Sequence, residues 1–245
     1  METDAYIATL RREGRVLADA AQRAGLDAPV PPCPRWQVRD LVRHTGAVHR
    51  WAAAYVADRR TGPAEWDESA PDDAALVAWY RDLHARLADT LDTAPADVAC
   101  WTFLPAPSPL AFWARRQAHE TTIHRIDAEA ALGTGRSPVE TEFAADGVDE
   151  LLAGFHVRQR SRVRAERPRT LRVVTTDSPG GDWLVRLSPE PPVVERGAAG
   201  AADCTLSGPA DAVYLALWNR GPYDGLSVAG DGELVELWRR TSAVT

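Results

Sequence analysis

Lysine is absent from this chain. Its 28 basic residues are all arginine, which excludes Schiff-base catalysis and a phosphate-loop lysine. Cysteine is scarce: Cys33, Cys100 and Cys204 are the three present, and no two lie close in sequence. No CxxC pair exists to form a zinc knuckle or a dithiol redox centre. Reduced, partly buried thiols in a reducing compartment are expected instead. No stretch approaches the roughly 20 apolar residues of a membrane span. The first ten residues carry acids and lack the apolar core of a signal peptide, so a cytoplasmic location is expected, with no membrane partner. Positive charge is also in deficit, with a formal net charge of -7. Phosphate backbones are held by positive charge, so nucleic acid is not an expected partner.

What remains is an ordinary globular composition, 45% hydrophobic and 26% charged over 245 residues. That length suits one large domain or two modest ones, and a core can form without disulfides. Apolar residues recur at helical spacing over 3–24, 36–57, 72–91, 112–132 and 143–163. Gly25 and Gly133 stop two of these runs. The segment 95–109 holds four prolines and reads as irregular. Beyond about residue 165 the pattern changes to short β-rich runs at 171–175, 183–187, 193–195 and 204–206, separated by turn residues. Helical patterns at 210–219 and 233–240 flank a short strand at 226–228. The expectation is a helical N-terminal domain over 1–165 and a small α+β domain over 166–245.

The fourth helical run carries the most chemistry. Glu120 and His124 are four residues apart and Asp127 lies three further on, so all three project from one helical face. That face also carries Trp113, Ile123 and Ala131, where a buried stripe belongs. Buried ionisable groups need partners or a metal. His119 points away from His124, so this is not the His-Glu-x-x-His protease pattern. In the second run His44 falls on the seam of Leu41, Val48, Trp51 and Tyr55, while His49 is rotated off it and is expected at the surface or an edge. His44, Glu120 and His124 are thus candidate ligands for one divalent ion, leaving an open position as catalytic zinc sites do. Asp127 would orient His124, and Arg116 would act similarly on Glu120. A hydrogen-bonded core histidine and a surface Glu–His pair explain the same spacing.

Four spaced segments carry a family resemblance. Pro31-Pro32-Cys33-Pro34-Arg35-Trp36-Gln37-Val38-Arg39-Asp40-Leu41-Val42-Arg43-His44 resembles the opening motif of the mycothiol-dependent maleylpyruvate isomerase family. The run Glu120 through His124 to Asp127 looks like its second metal motif. Ala144 to Leu152 is also similar to family sequences, as is the tail from Gly208 through Arg220 to Asp231. The resemblance implies a DinB-like four-helix bundle followed by a small sterol-carrier-like α+β domain. It implies zinc on His44, Glu120 and His124, with mycothiol as thiol cosubstrate, and an active-site arginine at the position of Arg220. Arg35 and Gln37 depart from the family's small residue and threonine beside Trp36, and the 95–109 loop has no counterpart.

The expected activity is therefore a zinc- and mycothiol-dependent isomerase or thiol transferase acting on a small, electrophilic, carboxylated substrate. Arg220 would hold the substrate carboxylate, and Asp127 would support the metal site. The chain is expected as a monomer or homodimer. Two other readings stay open. One is a hydrolase using zinc-bound water with Asp127 as base. The other is a non-catalytic module holding an apolar ligand near Trp183, Trp218 and Trp238.

Overall fold

A computed structural model describes residues 1–244. It divides the chain into two compact units, Met1–Ser137 and Pro138–Thr245.

The first unit is a bundle of four helices: α1 (Thr3–Ala24), α2 (Val38–Ala57), α3 (Asp73–Thr93) and α4 (Pro109–Leu132). Around the bundle the neighbours run α1, α3, α2, α4 and back to α1. The helix starts and stops follow local chemistry. The Asp40 carboxylate accepts the Gln37 N–H at 2.9 Å and caps the start of α2. Helix α4 begins three residues earlier than its apolar spacing suggests. Ser108 Oγ accepts the Ala111 N–H at 3.1 Å, and Pro109 occupies the first turn, where its missing N–H costs nothing. Gly133, at φ 73°, ends α4 in the left-handed conformation, and its N–H bonds to Glu129 O.

Helix α4 is not a half-exposed amphipathic helix. Residues on all its sides are buried, including Arg116, Gln117, His119, Thr121, Arg125 and Glu129. Its charges are paired inside the bundle. Arg125 Nε donates to Glu13 Oε2 on α1 at 2.6 Å. Its Nη1 donates to Glu129 Oε2 at 2.7 Å and to Ser137 O at 2.8 Å. These charge-assisted bonds offset the desolvation that burial imposes. Trp113, Tyr55, Leu10, Leu17 and Leu41 fill the apolar core. Gly14 allows a close approach, because a Cβ there would lie 2.2 Å from the His84 ring.

The second unit begins with α5 (Thr141–Asp149), which continues as a π-helical turn over Glu150–Phe155. This helix ends sooner than the 143–163 pattern suggests. It also belongs to the second unit rather than to the bundle, because it packs against α6 (Ala210–Leu217), with Phe143 edge-on to Tyr214. The compact division at residue 137 therefore lies well before the composition change near 165. Composition marks where strands begin, not where a helix finds its packing partner.

Five strands follow: β1 (Arg169–Thr175), β2 (Asp182–Leu187), β3 (Val193–Arg196), β4 (Cys204–Gly208) and β5 (Ser227–Gly230). Their order in the sheet is β3-β2-β1-β4-β5. The β1–β4 pair is parallel, and the others are antiparallel. Leu171 and Val173 of β1 and Cys204 and Leu206 of β4 alternate inward, as a half-buried sheet requires. Helix α7 (Glu233–Thr241) packs on β4. Trp183 and Trp238 are buried in this unit's core: Trp183 Nε1 donates to Asp149 Oδ1 at 3.0 Å and Trp238 Nε1 to Leu217 O at 2.9 Å. The ring of Trp218 meets Phe155 edge-on. The Trp183 and Trp238 indoles are thus both held by hydrogen bonds within their own unit.

Candidate metal centre

Helix α2 carries His44 and helix α4 carries Glu120 and His124, and the two helices are neighbours in the bundle. One potential ligand atom from each of these residues lies within 4.8 Å of the other two. Glu120 Oε1 is 3.4 Å from His44 Nε2 and 3.2 Å from His124 Nε2. A single carboxylate oxygen thus faces two imidazole nitrogens. The two rings meet edge-on, 5.1 Å between centroids.

Two of the three ligands, Glu120 and His124, are held from behind. Arg116 Nη2 donates to Glu120 Oε2 at 2.9 Å, which leaves Oε1 for the two histidines. Asp127 is fully buried, and its Oδ2 lies 3.0 Å from His124 Nδ1. An Nδ1–H donated to that carboxylate directs Nε2 toward Glu120. Burial alone would lower the His124 pKa, but hydrogen bonds to Asp127 and Glu120 outweigh it and raise the value to about 9. Burial pushes the Glu120 carboxyl up, yet its bonds to His124 and His44 hold it well below the usual range. Two imidazole nitrogens and a carboxylate oxygen are a donor set that suits zinc and several other divalent ions.

Three further residues, two tryptophans and a cysteine, complete the surroundings. Trp36 stacks on His124 at 6.0 Å and lies 5.0 Å from His44. Trp66, in the loop after α2, is 6.2 Å from His44. Cys33 Sγ lies 3.9 Å from Asp127 Oδ2. Sequence spacing brought none of these three to the site. The one available signal was that the Pro-rich loop directly precedes the helix bearing His44. A cleft of about 440 Å³ adjoins His44 and is lined by Arg35, Trp36, Asp40, Arg43 and Glu68.

The remaining histidines of the bundle stand apart from this cluster. His119 is buried and meets Tyr6 edge-on at 6.3 Å. His49 is fully buried, not at the surface or an edge as its angular position suggests. It shares a 2.9 Å hydrogen bond with Thr121 Oγ1, and its ring packs against Tyr80 and His84. A helix with neighbours on two sides buries more than one stripe, so His49 faces a second interface. Burial, then the nearby His84, holds its pKa well below the ordinary value. Arg220 lies in the second unit, just after α6, where its Nη1 donates to Trp218 O at 3.0 Å.

Family models agree with this architecture. The mycothiol maleylpyruvate isomerase N-terminal domain matches residues 7–129, and the MDMPI C-terminal domain matches residues 142–237. No curated protein matches the chain by sequence. Two solved structures share its fold: a mycothiol-dependent maleylpyruvate isomerase, at 13% identity, and a histidine-to-alanine variant of a mycothiol-dependent maleylpyruvate isomerase, at 12%. Each aligns over 94% of this chain and 93% of its own, with a TM-score of 0.62. Matched across both of its units and in the same order, the chain belongs to the mycothiol-dependent maleylpyruvate isomerase family.

Proposed function

We propose that the protein is a zinc- and mycothiol-dependent isomerase or thiol transferase acting on a small electrophilic, carboxylated substrate. The observation that carries this reading is the convergence of His44, Glu120 and His124 beside an open cleft. These three residues would hold the ion. When bound, zinc would favour the thiolate form of a low-molecular-weight thiol, which is the nucleophile.

The chain's own residues have distinct tasks. Asp127 keeps the His124 proton on Nδ1 and so keeps the Nε2 lone pair directed at the ion position. Buried and bonded to His124, it is a positioning residue. That placement disfavours its use as a general base on water, which the hydrolase reading requires. Arg116 fixes the Glu120 carboxylate. Trp36 covers one side of His124 and limits water there.

The reaction begins with attack of the thiolate on an electrophilic carbon of a cis-enoyl acid. The former double bond becomes single and rotates. Expulsion of the thiolate then yields the trans acid, while retention of the thiol, with a proton taken up at carbon, yields the adduct of a transferase.

The test is elemental analysis of the purified protein beside its His124→Ala variant, followed by turnover of maleylpyruvate with and without mycothiol. About one zinc per chain, lost in the variant, with turnover that needs the thiol, is the expected result. Absence of metal after zinc loading, or thiol-independent turnover, would overturn it.

A further inference from the structure

The cleft beside His44 contains four charged side chains, and their partners differ. Asp40 is engaged as the cap of α2, accepting the Gln37 N–H. Arg43 Nη2 pairs with Asp73 Oδ1 at 2.8 Å. Glu68 Oε1 accepts the Trp66 indole N–H at 2.7 Å. Arg35 is exposed and makes no ion pair among the described residues. It directly precedes Trp36, whose ring touches both His44 and His124. A guanidinium with no acid partner, on the rim of a cleft that borders a candidate metal ligand, suits a planar anion arriving there.

We propose that Arg35 is the carboxylate-recognition residue of this cleft and restricts it to substrates bearing a carboxylate. The proposal rests on the metal-centre reading above and adds the substrate's anchoring group. Trp36 forms the wall along which the rest of a small unsaturated acid lies. Glu68 lines the same cleft and, as a carboxylate, repels the anion that Arg35 attracts.

The experiment measures binding, independently of turnover. The full-length protein, both zinc-loaded and metal-free, is titrated with maleate and with its uncharged dimethyl ester by calorimetry. Wild type should bind maleate and discriminate against the ester in both metal states. Arg35→Gln should weaken maleate binding about tenfold or more, as the loss of a hydrogen bond to a charged group does, and leave ester binding and zinc content unchanged. Arg35→Lys should restore part of the affinity, and Glu68→Gln should tighten it. In turnover the Arg35→Gln defect should fall on KM. Equal maleate binding by wild type and Arg35→Gln, or no maleate binding by wild type, would overturn the proposal. Arg35-dependent binding in a protein without thiol-dependent turnover would uphold the anchor and reject the thiol reading alone. Thiol-dependent turnover insensitive to Arg35→Gln would do the reverse.

Discussion

Asp127 and His124 lie one helical turn apart on α4, and their side chains meet at 3.0 Å with the carboxylate fully buried. The pair makes His124 a directed ligand, because one ring nitrogen is committed to the protein and the other faces Glu120. Replacing Asp127 by Asn keeps the shape but removes the charge that fixes the ring. Zinc affinity, measured by competition with a chromogenic chelator, should fall about 10–100-fold. An unchanged affinity would mean that packing by Trp36 alone orients His124.

The three ligands should act as a set. His44→Ala, Glu120→Gln and His124→Ala should each strip most of the zinc, whereas His119→Gln should retain it, since His119 lies outside the cluster. Elemental analysis of all four variants checks this. Full zinc in the His44 variant would move the third ligand elsewhere.

His49 has a different role. It is buried and bonded to Thr121, so His49→Ala should cost about 1–3 kcal/mol of stability through a lost bond and an unsatisfied hydroxyl. Urea unfolding supplies the measurement, with zinc content as the control. A variant as stable as the parent would show that Thr121 finds another partner at no cost.

Arg125 joins Glu13 of α1 to Glu129 of α4 inside the bundle. Arg125→Ala would leave the buried Glu129 carboxylate without its cation and Glu13 with Arg12 alone, at a cost of about 3–5 kcal/mol. Thermal unfolding should show a large loss of Tm. If Arg125→Met were tolerated equally badly, the charge rather than the packing volume would be the cause.

Acid should loosen the bundle. Burial lowers the pKa of His84 from 6.5 to about 4. The unfolded chain takes up this proton near pH 6.5, while the folded chain resists until about pH 4. Stability is therefore full above pH 6.5 and is lost as the pH falls toward 4, by up to about 3 kcal/mol for this group. His156 in the second unit, also lowered by burial to about 4, has the same sign. Urea midpoints at pH 7 and pH 5 should fall less in His84→Gln than in the parent. An identical fall would place the acid sensitivity in other groups.

The helices, the strands and their sequence order were legible from apolar periodicity and from Gly and Pro placement, because both report local backbone chemistry. The spacing of Glu120, His124 and Asp127 was equally local, since three- and four-residue steps share a helical face. Tertiary structure alone decided which helices became neighbours. That choice set His44 opposite Glu120, carried Cys33 and Trp36 to the same cluster, buried His49, and placed α5 in the second unit. Such contacts join residues far apart in sequence, and they form only when each helix buries two faces against different partners. Periodicity identifies a helix's apolar positions, but it does not say what will cover them.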